Sequence, residues 1–181
     1  MGTYTPLEIH IDPEFKKLLR AQTDEEAANL RESIKKNGQQ SPGIVWQHHG
    51  ILIDGHHRKA LCDELGIDFD YIEIDLPDRD AVEEWILENQ LSRRNLDPDE
   101  TSLARGRLFN LRKKRHGGDR GNQHEAKHHS DALPDSAKKT AEVIAVEQGV
   151  SQATVERDGK YAQALDSLSE EILSLIQSSP V

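Results

Sequence analysis

The chain has 181 residues, which is enough for one domain of ordinary size and a smaller module. Hydrophobic residues make up 35% of it and aromatic residues 4%, so part of the chain is expected to stay outside a packed core. No apolar run approaches the roughly 20 residues of a membrane helix, and the first residues lack the basic and apolar segments of a secretory signal. We expect a cytoplasmic protein with no membrane partner, and Cys62, the only cysteine, fits a reducing compartment.

The net charge of -10 is distributed unevenly. Residues 1–103 contain 11 Lys and Arg against 22 Asp and Glu, whereas residues 104–161 contain 12 against 8. A polyanionic partner such as nucleic acid is therefore expected to bind the later segment.

The first part of the chain predicts a helix followed by two strands. Thr23 and Glu26 form the pattern of a capping box, which opens a helix that Gly38 closes. The runs GIVW and GILID are short and β-branched, and the polar QHHG separates them. They are typical of a hairpin or of two neighbouring strands.

A helix, a strand and a further helix are predicted next. The helix begins near His56 and ends at Gly66, and the alternating run DFDYIEID predicts a strand. Asp80 with Glu83 is expected to cap the following helix. These elements predict a compact α/β domain over residues 1–96.

The run LDPDE predicts another helix start, with Asp97 as N-cap, Pro98 in the first turn and Glu100 two residues later. The helix, at 97–115, is expected to be amphipathic and basic. Its inner stripe is Ala104, Leu108 and Leu111, and its cations are Arg105, Arg107, Arg112, Lys113, Lys114 and Arg115. Residues 116–136 have almost no apolar content and predict a flexible linker.

Residues 137–181 predict a second module with the spacing of a helix-turn-helix. Gly149 can adopt the positive φ of a tight turn, and Ser151 can cap the second helix. Gly159 is expected to bend or end that helix. The inward side chains are Ala141, Ile144, Ala145, Val150 and Val155. A helical hairpin that does not contact DNA is the alternative.

The run ILIDGHHRKAL places polar side chains at a strand-to-helix turn. The N-terminus of a helix attracts anions, Gly55 permits close approach of the backbone, and Arg58 and His57 can donate to phosphate. The alternative is that the histidines bond to local backbone and Arg58 pairs with Asp54 or Glu64.

A second polar run, ENQLSRRNLDP, lies about 30 residues further along the chain. Asn89 offers donors and acceptors, and Arg93 and Arg94 are adjacent cations in an acidic domain. A solvated loop with surface ion pairs is the alternative. Together with the first run, it predicts a pocket for phosphate.

In the order and spacing of these motifs, the chain resembles the ParB-like superfamily of partition proteins. SIKKNGQQSPGIVW, ILIDGHHRKAL, ENQLSRRNLDPDE and the downstream helix-turn-helix carry the resemblance, over about residues 7–115 and 137–165. It implies an α/β (α+β) ParB/sulfiredoxin-like N-terminal domain followed by an all-α helix-turn-helix module. The diverged turn is most similar to plasmid and phage members, which implies a role in partition or transcription regulation.

The resemblance also implies a nucleotide site for CTP with Mg²⁺. Gly55 and Arg58 match the family's G-E-R-R-x-R-A motif, in which His56, His57 and Ala60 replace charged residues. Leu96 and Pro98 match its E-N-x-Q-R-x-x-L-x-P motif, which here has one extra residue. The implied nucleotide- or phosphate-binding residues are Gly55, His56, His57, Arg58, Glu88, Asn89, Arg93 and Arg94.

Three other activities of this fold or composition are disfavoured. Sulfiredoxin has its nucleophilic cysteine where this chain has His56, and Cys62 lies about two helical turns away. No acidic cluster specifies a nuclease. Of the nine histidines, adjacent pairs such as His48 and His49 point to opposite faces on a strand, so no metal site is expected.

Double-stranded DNA is the expected partner, read by the second helix of the helix-turn-helix. The DNA-binding residues are predicted to be Ser151, Gln152, Ala153, Glu156, Arg157 and Lys160, and residues 112–115 could meet phosphates. A homodimer is expected, with Leu165, Leu168, Ile172 and Leu175 as one possible interface. Two alternatives stay open: a nucleotide hydrolase or phosphotransferase using the histidine turn, and an adaptor with a vestigial pocket.

Overall fold

The computed structural model describes residues 8–93, 96–116 and 135–178. The chain divides into two compact units, Met1–Ile86 and Leu87–Val181, and the division falls within one helix. In the first unit the elements are β1 (His10–Ile11), α1 (Pro13–Lys17), α2 (Asp24–Asn37), β2 (Gly43–Trp46), β3 (Ile51–Asp54), α3 (His56–Leu65) and β4 (Tyr71–Ile74). The helix α4 (Arg79–Leu91) crosses the division, and α5 (Pro98–His116), α6 (Asp135–Gln148) and α7 (Gln152–Ser178) belong to the second unit.

The first unit contains a four-stranded mixed sheet in the order β1-β3-β2-β4. The strands β2 and β3 are antiparallel, which confirms the strand pair predicted from GIVW and GILID. Each outer strand is parallel to its neighbour, β1 to β3 and β4 to β2. The turn that leads into α3 therefore follows an inner strand of the sheet, not an edge strand.

The core of the first unit lies between the sheet and the flanking helices. It is built from Phe15, Trp46, Ile53, Val82 and Ile86, all buried. The indole Nε1 of Trp46 donates to the carbonyl of Leu76 at 2.9 Å, so its one polar atom is satisfied in the core. Packing of the α1, α4 and sheet side chains holds β3 in place below its turn.

Helix ends follow the sequence signals closely, with one correction. The capping box of Thr23 and Glu26 is present, and Asp97 and Glu100 cap each other's backbone amides in the same way. The prediction that Asp80 caps α4 was wrong: the side chain of Asp78 accepts from the amide of Ala81 at 2.7 Å. Asp80 lies inside the first turn, where a carboxylate interacts favourably with the helix dipole but does not cap.

The second unit is a bundle in which α5 packs against both α6 and α7. Its buried side chains include Ala104, Leu108 and Leu111 of α5, as the apolar stripe predicted. Of the bend or end predicted at Gly159, the end was wrong, because α7 continues to Ser178. A Cβ at Gly159 would come within 2.5 Å of the Phe109 ring, so glycine serves close helix packing there.

Several sequence predictions fall outside the described residues. Most of the predicted linker, 117–134, belongs to this part of the chain, as do the side chains of Ile172 and Leu175. Of the other two predicted interface residues, Leu165 is half-buried and Leu168 is exposed. Within the described ranges, no helix combines the length and apolar character needed to span a bilayer.

Candidate functional site

The turn between β3 and α3 requires glycine for two reasons. Gly55 is the N-cap of α3 and has a left-handed backbone, with φ of 96°. A Cβ there would lie 3.0 Å from Nη2 of Arg58 and 3.1 Å from Cα of Gly43. Gly55 therefore brings two backbone segments and a guanidinium together at the start of the helix. Residues 54–58 are called the α3 turn below.

Among the residues that the structure describes, no side chain caps the N-terminus of α3 through a hydrogen bond, and the first turn of α3 contains no acidic residue. By contrast, Asp12, Thr23 and Asp97 cap α1, α2 and α5. Since the first amides of a helix and its dipole favour negative charge, the start of α3 is suited to an external anion.

His56 is a buried imidazole at this position, with 5% of its surface exposed. Neither Nδ1 nor Nε2 has a hydrogen-bond partner in the described part of the chain, so the idea that it bonds to local backbone was wrong. Burial lowers the pKa of His56 from 6.5 to about 4, although the charge of Asp54 opposes this; Lys16 and His57 lower it further. His56 is therefore neutral near pH 7.

Arg58 is held across the turn by two acceptors. Its Nη2 donates to the Asp54 carboxylate at 3.0 Å and to the Pro42 carbonyl at 3.2 Å. The pairing with Asp54 was one of the sequence alternatives and is confirmed. The guanidinium is thereby fixed beside Gly55, and its Nε is buried without a hydrogen-bond partner among the described residues.

The remaining residues of the predicted pocket belong to different units or lie outside the described residues. His57 is exposed on α3 in the first unit. Glu88, Asn89 and Arg93 belong to the second unit, and Arg94 lies outside the described residues. The Glu88 carboxylate accepts from Nη2 of Arg112 at 2.5 Å. Glu88 thus has a partner within the second unit, which sequence reasoning did not foresee.

The second unit contains the predicted pair of helices joined by a tight turn. Gly149 has φ of 64°, and the Ser151 hydroxyl accepts from the amide of Thr154 at 3.1 Å, which caps α7. Val155 is fully buried, as predicted. Val150 is only half-buried, so it lies at the edge of the interior.

The start of α7 presents a polar surface, here called the α7 face. It consists of the six predicted DNA-binding residues, which are Ser151, Gln152, Ala153, Glu156, Arg157 and Lys160. All are exposed except Glu156, which is half-buried. Neither Arg157 nor Lys160 forms an ion pair within the described residues. Both cations are therefore available to an external partner.

Three of the six predicted cations of α5 are engaged inside the second unit. Arg105 pairs with Asp158 at 2.6 Å, and these side chains are 9% and 6% exposed. Arg107 pairs with Asp166, while Arg112 bridges Glu88 and Glu147 and is 11% exposed. Half of the cations predicted for this helix thus contribute to internal pairing, among them Arg112, which was expected to meet phosphate.

The described residues contain no group of three or more His, Cys, Asp or Glu side chains placed to hold a metal ion. Cys62 is buried, and its thiol contacts Oε1 of Gln39 at 3.5 Å. Burial raises the pKa of this thiol, so the thiolate form needed for nucleophilic chemistry is disfavoured.

Titration of His56 should make the stability of the first unit depend on pH. The unfolded chain binds a proton near the ordinary pKa of 6.5, whereas the folded unit binds one only near pH 4, so stability falls as pH drops between these values. The change is at most about tenfold in the folding equilibrium constant per pH unit. The free energy of unfolding can be measured by urea denaturation at several pH values in this range. It should change less steeply with pH for His56→Phe than for the wild type.

His57→Gln is the matched control, because His57 is exposed on the same helix. It should retain the slope of the wild-type protein. Equal slopes for the wild type and His56→Phe would contradict a buried neutral imidazole at this position.

The fold is similar to that of solved ParB N-domains. Two structures titled as a pNOB8-like ParB N-domain, one of them a C2221 form, match with a TM-score of 0.62 and 20% sequence identity. The matches cover 83% of this chain and 64% and 60% of the solved chains, so this chain spans less than two thirds of their length. No protein-family model and no curated protein matches the chain. The comparison confirms the ParB-like fold that the motifs predicted.

Proposed function

We propose that the chain is a DNA-binding protein of the ParB type that acts in plasmid or phage partition or in transcription regulation. The α3 turn would bind the phosphate of a nucleoside triphosphate such as CTP, and the α7 face would bind double-stranded DNA. The observation that carries the proposal is the start of α3, which no described side chain caps. There both ring nitrogens of His56 and Nε of Arg58 are buried without hydrogen-bond partners among the described residues, in a fold similar to that of ParB N-domains.

A phosphate group fits the chemistry of the α3 turn. Backbone amides at a helix start and the dipole of α3 both favour an anion. The guanidinium of Arg58 adds a fixed positive charge that suits phosphate oxygens. An anion beside His56 would also favour its protonated form, which could then donate a hydrogen bond to a phosphate oxygen.

Magnesium would be held chiefly through the phosphates. Mg²⁺ at nucleotide sites usually keeps several waters and takes one or two carboxylates, and Asp54 is the carboxylate of the α3 turn. Because Asp54 is paired with Arg58, this chain contributes few oxygen ligands of its own. When bound, Mg²⁺ would neutralise phosphate charge, while α3 and Arg58 would position the anion.

The α7 face supports the DNA part of the proposal. In a helix-turn-helix docking, the first residues of the second helix face the major groove. There Gln152 can pair with adenine and Arg157 with guanine, while Glu156 can accept from cytosine. Lys160 would contact phosphate. The protein would act as a homodimer because such modules bind paired half-sites, and the exposed Leu168 of α7 fits an interface between copies.

Fluorescence anisotropy with duplexes from the DNA around its own gene, at low salt and with CTP, tests the DNA part. The wild type should bind with two protomers per duplex. Lys160→Ala should weaken binding to all sequences and reduce the salt slope by about one. Arg157→Ala should lose roughly 1–3 kcal/mol of discrimination at one base pair.

Lys36→Ala provides the control, since it removes one exposed positive charge from the first unit. Its affinity for every duplex should equal that of the wild type. If the wild type binds none of the duplexes, or if Lys36→Ala weakens binding as much as Lys160→Ala, the assignment of the α7 face is wrong.

A nucleotide hydrolase is the second candidate, favoured by the His56 imidazole at the α3 turn, whose two ring nitrogens have no hydrogen-bond partner among the described residues. A neutral imidazole at that place could accept a proton from an attacking water. Release of inorganic phosphate from CTP by the wild type, and its loss in His56→Gln with CTP binding retained, would distinguish this activity from binding alone.

A further inference from the structure

Two aromatic side chains lie beside the α3 turn. The chain has only three phenylalanines, three tyrosines and two tryptophans, yet Phe69 and Tyr71 are two residues apart and both half-buried. Their rings are nearly parallel, with an interplanar angle of 17° and centroids 6.4 Å apart. Nζ of Lys59 lies over the Phe69 ring, 5.9 Å from its centroid, so this ring already meets a cation. The pair is nevertheless half-buried and not part of the packed core, so part of its surface faces solvent.

The backbone that carries these rings is fixed by hydrogen bonds at Asp70. Nε2 of Gln39 donates to the Asp70 carbonyl at 2.7 Å, and the Asp70 amide donates to Oε1 of Gln39 at 2.9 Å. The amide of Gly43 donates to the same carbonyl at 2.8 Å. A planar ligand would thus meet rings that are already positioned, which lowers the entropic cost of binding.

Direct contacts connect the aromatic pair to the α3 turn. The edge of the Phe69 ring lies over Gly43, where an added Cβ would be 2.3 Å from Cζ. Cα of Gly43 in turn lies 3.1 Å from the position of a Cβ at Gly55. The Phe69 ring therefore packs on Gly43, and Gly43 packs on Gly55 at the start of α3.

The geometry points to the pair Phe69 and Tyr71 as a stacking site for the base of a nucleotide whose phosphates lie at the α3 turn. This inference rests on the proposed phosphate site and adds the part that would contact the base. Every nucleobase has a π-face that can stack on an aromatic ring, so the pair would increase affinity for any nucleotide over a bare polyphosphate. Stacking alone does not select one base.

Nuclear magnetic resonance titrations of the full chain separate the two parts of the site. Cytidine and adenosine, which have no phosphate, should shift ring signals of Phe69 and Tyr71. Inorganic tripolyphosphate, which has no base, should shift amide signals of residues 55–58. CTP and ATP should shift both sets and bind more tightly than tripolyphosphate.

The variant Phe69→Leu retains an apolar contact over Gly43 while removing the ring. It should bind CTP roughly ten- to a hundredfold more weakly, the usual effect of losing one stacked aromatic, and should bind tripolyphosphate as the wild type does. Tyr71→Leu should act in the same direction, and it keeps the test valid if Phe69→Leu does not fold. Tyr161→Leu, which removes an exposed tyrosine of α7, should change neither affinity.

The outcomes distinguish the two proposals. If tripolyphosphate binds but nucleotides bind no more tightly, or if Phe69→Leu and Tyr71→Leu retain CTP affinity, the stacking site is overturned and the phosphate site stands. If nucleosides shift the rings while tripolyphosphate leaves residues 55–58 unchanged, the stacking site stands and the phosphate site fails. If nucleosides and nucleotides leave the rings unchanged, the stacking site is wrong.

Discussion

Replacing Asp158 with alanine should lower the free energy of unfolding of the second unit by about 3–5 kcal/mol, because it leaves the Arg105 guanidinium buried without its carboxylate. Nε of Arg105 donates to the Asp158 carboxylate at 2.6 Å, and both side chains are almost fully buried. Hydrogen exchange of the backbone amides in α5 and α7 measures the free energy of unfolding of the second unit. It does not require that both units unfold in one transition.

A second ion pair between the same two helices is the control. Arg107 and Asp166 are 21% and 45% exposed, so water already solvates much of that pair. Asp166→Ala should therefore cost no more than about 1 kcal/mol. Replacing Arg105 with Met and Asp158 with Leu together should restore most of the stability, since no buried charge remains. If Asp158→Ala costs as little as Asp166→Ala, Arg105 and Asp158 do not form a buried ion pair.

Gly106→Ala should also destabilise the second unit strongly. The added methyl would lie 2.0 Å from the carbonyl oxygen of Asp158 and 2.9 Å from Cβ of Ala162, so the backbone of α5 or α7 has to move. Overpacking of this kind typically costs about 1–3 kcal/mol, and movement of Asp158 would also disturb its pairing with Arg105. Thermal unfolding followed by circular dichroism should show a lower midpoint than the wild type.

Gly159→Ala allows a graded comparison on the facing helix. Its methyl would meet the ring of Phe109, a side chain that can shift, rather than backbone. Alanine also favours helix over glycine by about 1 kcal/mol, which offsets part of the packing cost. We therefore expect a smaller loss than for Gly106→Ala. A rise in the midpoint for Gly106→Ala, as at an exposed helical glycine, would contradict close packing of α5 on α7.

Local sequence signals predicted much of the fold. Capping by Thr23 and Asp97 depends on residues within one turn, and the strand pair at β2 and β3 depends on one short loop, so neither needs information from distant residues. One cap was predicted wrongly, at Asp80, whereas Asp78 caps α4. The error is two residues long, because either aspartate could act as an N-cap.

Contacts between distant residues were not predictable in the same way. Asp158 follows a typical helical pattern, and nothing near it in the sequence indicates that its partner is Arg105, 53 residues earlier. For the same reason, the cations of α5 were read as available to phosphate, although Arg112 bridges two carboxylates. Gly106 in α5 and Gly159 in α7 could have indicated that these two helices pack together, because glycine within a helix often marks a close helix crossing.

The candidate site was predicted in part. The motif at residues 54–58 correctly indicated a strand-to-helix turn with close backbone approach at Gly55, and pairing of Arg58 with Asp54 was one of its two alternatives. The left-handed backbone of Gly55 was not predicted. The motif did not indicate that His56 is buried with both nitrogens unpaired among the described residues, since burial depends on parts of the chain that are distant in sequence. The aromatic pair of Phe69 and Tyr71 was read only as part of a strand.

The central claim is that the α3 turn binds phosphate, and isothermal titration calorimetry of the full chain tests it. The ligands are CTP, other nucleoside triphosphates and tripolyphosphate, each titrated with and without DNA. The wild type should bind CTP, and Arg58→Ala should bind it about ten- to a hundredfold more weakly, because a charge-assisted hydrogen bond is lost. Arg79→Ala, which removes another arginine of the first unit, should bind as the wild type does. If the wild type binds none of these ligands, or if the wild type and Arg58→Ala bind CTP equally well, the claim that the α3 turn binds phosphate is contradicted. If DNA binding is retained in that case, the result would favour an adaptor with a vestigial pocket.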